Sequence, residues 1–284
     1  MDTYVTSAPR LLNLGCGDCV HPAFDNVDLQ SRPGVIGHDL RHGIPFPDQT
    51  YDVVYHSTML SHFRPPEALR FMQECRRVLK PGGVLRVVTE DLEQMCRVYL
   101  EMLERAWSGD PLAAANHEWM LLEMYDQAMR ERSGGGMLDY LRRQPLLNEA
   151  FIRERVGEQG RIILEGVRRR REPSAEAPVA PAGGVMRRGA AALRRLALGT
   201  LLGRERVQAL EIGRFRLTSG QVTYRMYDRQ SLKRLMAEAG FSDMVLQTAA
   251  TSLTPFWRNV NLDVAEAGAP ARPHALIMEA RRSL

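Results

Sequence analysis

Between "RLLNLG", a short apolar run ended by glycine, and "FDNVDL", a second run closed by an acid, the chain has only nine residues, Gly15 to Ala23. Both runs read as strands. Parallel neighbours in a sheet need a crossover of about a dozen residues or more, usually a helix. The spacing therefore predicts a strand, a glycine turn and a second strand with no room for the usual helix between them. A ligand at this turn must be held by backbone and by the acid closing the second strand, Asp28.

The following residues supply the rest of a sheet. "GIPFPDQT" is rich in turn residues and precedes "YDVVYHS", a buried-strand pattern. Residues 65 to 79 place Leu69, Met72, Cys75 and Leu79 at helical spacing behind two prolines, and "KPGG" ends that helix before the strand "VLRVVT". Strands alternating with helices indicate an α/β parallel sheet, with its ligand beyond the carboxyl ends of the strands. From 92 to about 131 the periodicity turns helical, "SGGGM" interrupts it, and "RRRREPSAEAPVAPAGG" reads as a poorly packed linker. From Tyr227, "YDRQSLKRLMAEAGF" is a capped helix, and "SDMVLQTA" and "HALIMEAR" are strands that return to the sheet. The organisation expected is an α/β core of residues 1–90 and 227–284, with a helical insertion at 91–226 carrying a linker at about 168–188.

Charge is unevenly placed. The chain has a net charge of +4, yet the window from Arg161 to Arg216 holds 13 arginines against 5 glutamates, so the remainder is mildly acidic. A basic insertion on an acidic enzyme differs from a nucleic-acid-binding domain that is basic throughout, so nucleic acid is not the expected partner. Residues 186–202 form an amphipathic arginine pattern that would suit peripheral contact with a membrane surface. No stretch nears the ~20 apolar residues of a membrane span, and "MDTYVTSAPR" lacks a signal pattern, so a cytoplasmic protein is expected. Four cysteines make no disulfide framework. Cys16, Cys19 and His21 lack the second pair that a zinc site needs, so no metal is expected.

Three ligands commonly follow a strand and a glycine turn. A dinucleotide wants a third glycine where this chain has Val20, and a P-loop wants a lysine that the turn lacks. S-adenosylmethionine carries no phosphate. Gly15 and Gly17 would permit close approach to its amino-acid part, and Asp28 could accept both ribose hydroxyls. Through "LNLGCG", "NVDL", "HDL", "PFPDQTYDVVYHSTMLSHF" and "RRVLKPGGVLRVV", in that order, the chain resembles the class I S-adenosylmethionine-dependent methyltransferases. "EWMLLEMYDQ", "GRFRL", "MYDR" and "KRLMAEAGF" further resemble a bacterial subgroup with a short first crossover. The resemblance implies a Rossmann-like sheet with a helical lid. It places Asn13, Gly15, Cys16, Gly17, Asp28 and Leu29 around the donor's amino acid and ribose, Asp39 and Leu40 at its adenine, and His56, Ser57 and Leu60 beside its methionine part. "LSH" stands where many relatives have Leu-Glu-His.

Methyl transfer is an in-line displacement, and a hydroxyl acceptor needs a general base within reach. Histidines 56, 62 and 117 offer one. His56 is the first choice, at the mouth of the sheet, then His117, then Asp91, although a core histidine and a helix cap are the plain readings of the last two. The Asn/Asp-Pro-Pro-aromatic segment common among enzymes methylating amide or base nitrogens is absent where this chain has "YHSTM". The expected reaction is O-methylation of a small-molecule natural product or glycan hydroxyl. The alternatives are a nucleic-acid or N-methyltransferase and a noncatalytic S-adenosylmethionine-binding protein.

Overall fold

The computed structural model describes residues 8–169, 202–265 and 268–283. Most of the linker expected at 168–188, and nearly all of the arginine pattern at 186–202, lie outside the described residues. Seven strands form one sheet: β1 (Leu11–Leu14), β2 (Phe24–Asp28), β3 (Val35–Gly37), β4 (Tyr51–Ser57), β5 (Leu79–Glu90), β6 (Phe241–Gln247) and β7 (Ala275–Arg282). Their order is β3-β2-β1-β4-β5-β7-β6. All pairs among β1 to β5 are parallel, whereas β7 runs antiparallel to both neighbours. That last feature departs from the all-parallel expectation. It brings the start of β7 beside the carboxyl end of β5, where Ala275 pairs with Glu90.

Strand alternation sorts the side chains onto two faces. Leu12, Leu14, Val54, Leu85 and Val87 point to one face, where they meet Phe71, Met72 and Cys75 of α1 (Pro65–Val78). Leu11, Phe24, Val53, Tyr55 and Val88 point to the other. α1 begins as the sequence predicts, with prolines at its start and Glu67 accepting from the Arg64 backbone N–H. β5 starts earlier than expected and includes the "KPGG" stretch.

The second face explains the short first crossover. In place of a helix, two buried amides brace the Gly15–Ala23 loop: Asn13 Nδ2 donates to Cys19 O at 2.9 Å and to Asn26 Oδ1 at 3.0 Å, while Asn26 Nδ2 donates to His21 O at 3.0 Å. These bonds satisfy loop carbonyls that a helix would have satisfied itself. The apolar surface beyond them is covered from elsewhere in the chain. Trp257, in the connection between β6 and β7, packs on Phe24 and Tyr55, with Phe256, Val260 and Leu262 alongside. Arg86 of β5 anchors this connection. It donates to the carbonyls of Thr248 and Thr251 at 2.9 Å each, and pairs with Asp263 at 2.6 Å and Glu279 at 2.8 Å.

Among the described residues, five helices lie between β5 and residue 219: α2 (Leu92–Trp107), α3 (Pro111–Met129), α4 (Gly135–Leu141), α5 (Glu149–Arg169) and α6 (Arg204–Thr218). "SGDP" separates α2 from α3. Gly109 takes φ +93°, and the Asp110 carboxylate accepts from the N–H groups of Leu112 and Ala113. Trp119, Tyr140, Leu141, Ile152 and Leu164 give α3, α4 and α5 an apolar cluster of their own. α7 (Arg229–Glu238), capped by Asp228, then packs Leu232 and Met236 onto the α1 face.

Candidate active site

The glycine turn lies at the carboxyl end of β1, where neighbouring strands β2 and β4 lead to opposite halves of the sheet. Open α/β sheets bind ligands at such a position. Gly15 and Gly17 adopt φ +64° and +49°, and the N–H groups of Gly15 and Cys16 donate to Val27 O at 2.8 and 3.2 Å. Asp28 closes the turn. Its Oδ2 accepts from Gly17 N at 2.8 Å and its Oδ1 from Leu29 N at 2.7 Å. Each carboxylate oxygen has a further lone pair, enough for two vicinal hydroxyls. A Cβ at Gly17 would meet nothing within 4 Å. Backbone curvature, an open glycine and a partly satisfied carboxylate fit a ribose at Asp28.

Several residues expected at the donor site are committed elsewhere. Asn13 is the loop brace. The Met59 side chain takes the space that Gly15 leaves, and a Cβ there would collide with it. Asp39 caps the turn Leu40–His42, and its carboxylate is gripped by the Arg41 guanidinium at 2.7 to 3.1 Å, which holds it below the usual carboxylate range. An adenine amino group would have to compete with that cation. The Leu40 and Leu60 side chains belong to the core. Cys16 is buried in the turn, Leu29 is exposed beside it, and Ser57 ends β4 half-buried.

His56 is the main correction. Its position in β4 puts it on the same face as Val54, so its ring lies against Phe71 of α1 at 5.2 Å, with no solvent exposure and neither nitrogen partnered. Burial pushes its pKa down to about 3. A sealed ring cannot receive a proton from an acceptor. It does impose an acid sensitivity. The unfolded chain takes up a proton near pH 6.5 that the folded one refuses until about pH 3, so stability is complete above the unfolded value and falls as pH drops below it, by about 1.4 kcal/mol per unit. Between pH 7 and 5 the wild type should therefore lose about 2 kcal/mol that His56→Leu retains. Urea unfolding at the two pH values checks this, and equal losses in both proteins would refute it.

The other two catalytic expectations are also displaced. His117 sits between α2 and α3 with its ring on Tyr99 at 5.1 Å. Asp91 caps α2, accepting from Glu93 N at 3.0 Å and Gln94 N at 3.2 Å, and burial raises its pKa. Neither lines the cavity described next.

A cavity of about 520 Å³ opens over the carboxyl ends of β4 and β5. Its floor is Thr58, Thr89 and Glu90. Met95, Trp119, Met137, Leu138, Leu141 and Ile163 from the helices form much of its wall, and Gln221, Thr223 and Met226 close another side. His62 reaches it through an unusual turn. Thr58 takes φ +55°, rare for a β-branched residue, and is held by its own N–H on Val88 O at 2.8 Å. This turns the chain into the single helical turn Leu60–His62 and delivers the imidazole to the cavity. Ser61 is buried, and its carbonyl accepts from Tyr224 N at 2.8 Å, tying the turn to the 221–226 wall.

Two histidines line the cavity in opposite tautomers. His62 Nδ1 is 2.9 Å from Val222 O, which can only accept, so Nδ1 carries the proton and Nε2 keeps its lone pair. At His274 a relay assigns the reverse. The Glu123 carboxylate, fixed by Trp119 Nε1 at 2.6 Å, pairs with Arg155 at 2.6 Å; Arg155 donates to Gln94 Oε1 at 2.6 Å; the Gln94 amide then faces His274 Nδ1 at 2.5 Å as donor. His274 Nε2 therefore bears the proton. Burial, then Arg155, lowers the His274 pKa, so the ring is a neutral donor. The sequence reading singled out neither Glu123, Arg155 nor His274. Glu123 and Arg155 showed in the sequence only as polar residues within helical stretches, and His274 only as the residue opening "HALIMEAR".

Residues 12–87 match the family described as methyltransferase domain. This stretch runs from β1 through most of β5. Among curated proteins, 72 residues are 36% identical to a protein named as a methyltransferase in Aspergillus luteorubrus, covering 25% of each chain. Another 55 residues are 42% identical to one named as an S-adenosylmethionine-dependent methyltransferase in Mycolicibacterium smegmatis (strain ATCC 700084 / mc(2)155), covering 18% of this chain and 21% of that protein. The chain thus spans about a quarter of the length of the curated relatives it matches. Among solved structures, an S-adenosylmethionine-dependent methyltransferase of Thermotoga maritima aligns over 98% of this chain and 84% of its own at 13% identity, with a TM-score of 0.39.

Proposed function

We propose, on the premise that residues 12–87 form a methyltransferase domain, that the whole chain transfers a methyl group from S-adenosylmethionine to a hydroxyl of a small molecule or glycan unit. The observation that carries the choice of oxygen is His62. It lines the cavity with Nδ1–H spent on the Val222 carbonyl, so Nε2 is an acceptor placed where a hydroxyl proton must go. An amine acceptor, once deprotonated, needs no such base. The volume, about 520 Å³, suits a small ligand or one sugar unit.

The donor's sulfonium makes its methyl carbon electrophilic. The residues of this chain bind, orient and dry the site. Asp28 accepts from the ribose hydroxyls, and the Met95, Trp119 and Leu138 walls exclude water that would compete with the acceptor. His62 Nε2 takes the hydroxyl proton as the oxygen attacks the methyl carbon and the carbon–sulfur bond breaks, the electron pair leaving with a neutral thioether, and the resulting imidazolium keeps its Nδ1–H bond to Val222.

Incubation of a small-molecule extract with isotopically methyl-labelled S-adenosylmethionine, followed by mass spectrometry, tests the reading. Label should appear on an oxygen of a small product. Asp28→Ala should weaken donor binding by about ten- to a hundredfold, the loss expected for charge-assisted bonds. Label found only on nitrogen, or only on RNA or DNA, would overturn the choice of acceptor. Undiminished binding by a folded Asp28→Ala protein would overturn the donor site.

A further inference from the structure

The β6–β7 connection, which covers the sheet face where the first crossover helix is missing, also brings a cation to the glycine turn. Arg272 lies just before β7, half-buried, and lines the cavity. The backbone of the preceding residue, Ala271, is clamped from two sides. Ala271 N donates to Asp263 O at 2.7 Å, and Ala271 O accepts from Glu158 N at 3.4 Å beside the α5 kink, where Gly157 takes φ +59°. Asp263 is itself fixed by Tyr55 Oη at 2.8 Å and by Arg86. Arg272 also acts on the tip of the glycine loop: burial raises the Cys19 thiol pKa, and Arg272 is the group that most opposes the rise. Arg272 thus lines the cavity and is close enough to the loop for its charge to act on Cys19.

Among the described residues Arg272 has no ion-pair or hydrogen-bond partner for its side chain. Of the acids around it, Asp263 is held by Tyr55 and Arg86, and Glu90, which lines the same cavity, accepts from Thr89 Oγ1 at 3.2 Å. Arg32, which also stands near the turn, faces Asp18 at 3.4 Å. An unpaired, half-buried guanidinium is a ready partner for a carboxylate, which its planar fork can bind through two N–H groups.

The ligand follows from the path across the site, an argument that rests on the proposed donor. With ribose at Asp28 and the methyl group directed to His62, the sulfonium lies between them, and its amino-acid arm must run along the glycine loop. That arm ends in a carboxylate. In sheets with a full first crossover, the N-terminus of its helix offers positive charge to an anion at this place. Here the crossover has no helix. We propose that Arg272 binds the carboxylate of S-adenosylmethionine, supplying from the β6–β7 connection the positive charge that the shortened crossover cannot.

Titration calorimetry on the full chain with S-adenosylmethionine and with decarboxylated S-adenosylmethionine, which lacks only the carboxylate, tests this. The wild type should prefer the carboxylated donor by tenfold or more. Arg272→Ala should lose that preference, binding S-adenosylmethionine at least tenfold more weakly and the decarboxylated donor unchanged. Arg272→Lys, which keeps the charge without the fork, should recover part of it. Equal weakening of both donors in Arg272→Ala, with Arg272→Lys no better, would show a structural role and overturn the assignment. So would a preference that survives Arg272→Ala. Absence of binding of either donor to the wild type is a different failure, because it overturns the proposed function itself.

Discussion

Arg86→Leu should lower the unfolding free energy by about 3 to 5 kcal/mol, the cost of breaking a buried ion pair by removing one partner. Arg86 has no solvent exposure and holds Asp263 and Glu279, which are themselves buried. Leucine would fill part of its volume but take the cation from two buried carboxylates and a donor from two carbonyls, those of Thr248 and Thr251. Burial already raises the pKa of Asp263, with Arg86 as the main opposing influence. Without Arg86 the carboxyl pKa should rise further, so the penalty should shrink as pH falls and the acids become neutral. Arg86→Lys should recover only part of the loss, since one ammonium cannot meet partners arranged around a planar fork. Urea unfolding at pH 7 and pH 5 measures both effects. Trp257, stacked on the guanidinium at 4.8 Å, reports whether the β6–β7 connection has come loose. A penalty under about 1 kcal/mol at pH 7 would mean that Arg86 does not anchor it.

That anchor was hidden from sequence reasoning for a physical reason. Caps, turns and amphipathic stripes are local, so the glycine turn, α1, α7 and the closing strands were legible. The missing crossover helix was legible too, by simple count of Gly15 to Ala23. What covers the bare face was not, because residues 248 to 263 have neither helical nor strand periodicity, and they act through a tertiary contact with Arg86. The break between α2 and α3 was present as "SGDP" but lay within one run of helical spacing. His56 and His62 show a subtler limit. The resemblance located His56 correctly at the end of β4, yet strand parity decides which face a side chain takes, and β4 is apolar on both faces. Only the left-handed turn at Thr58 shows that the next accessible imidazole is His62.

His62→Ala should reduce turnover by about a hundredfold or more, the usual worth of a positioned general base, while leaving donor affinity within about twofold. The second half follows from position. His62 reaches the cavity from the 60–62 turn, whereas the proposed donor contacts at Asp28 and Gly17 lie on β2 and the glycine loop. Alanine also removes the Nδ1–H bond to Val222, which could shift the 221–226 wall, so it does not by itself separate base from brace. His62→Gln does. Its amide N–H can replace the bond to Val222, but it offers no basic nitrogen. If His62 is the base, the glutamine variant should be as slow as alanine. If the imidazole only braces the wall, glutamine should restore most of the rate. The donor's affinity, measured by calorimetry in all three proteins, keeps the comparison confined to the chemical step.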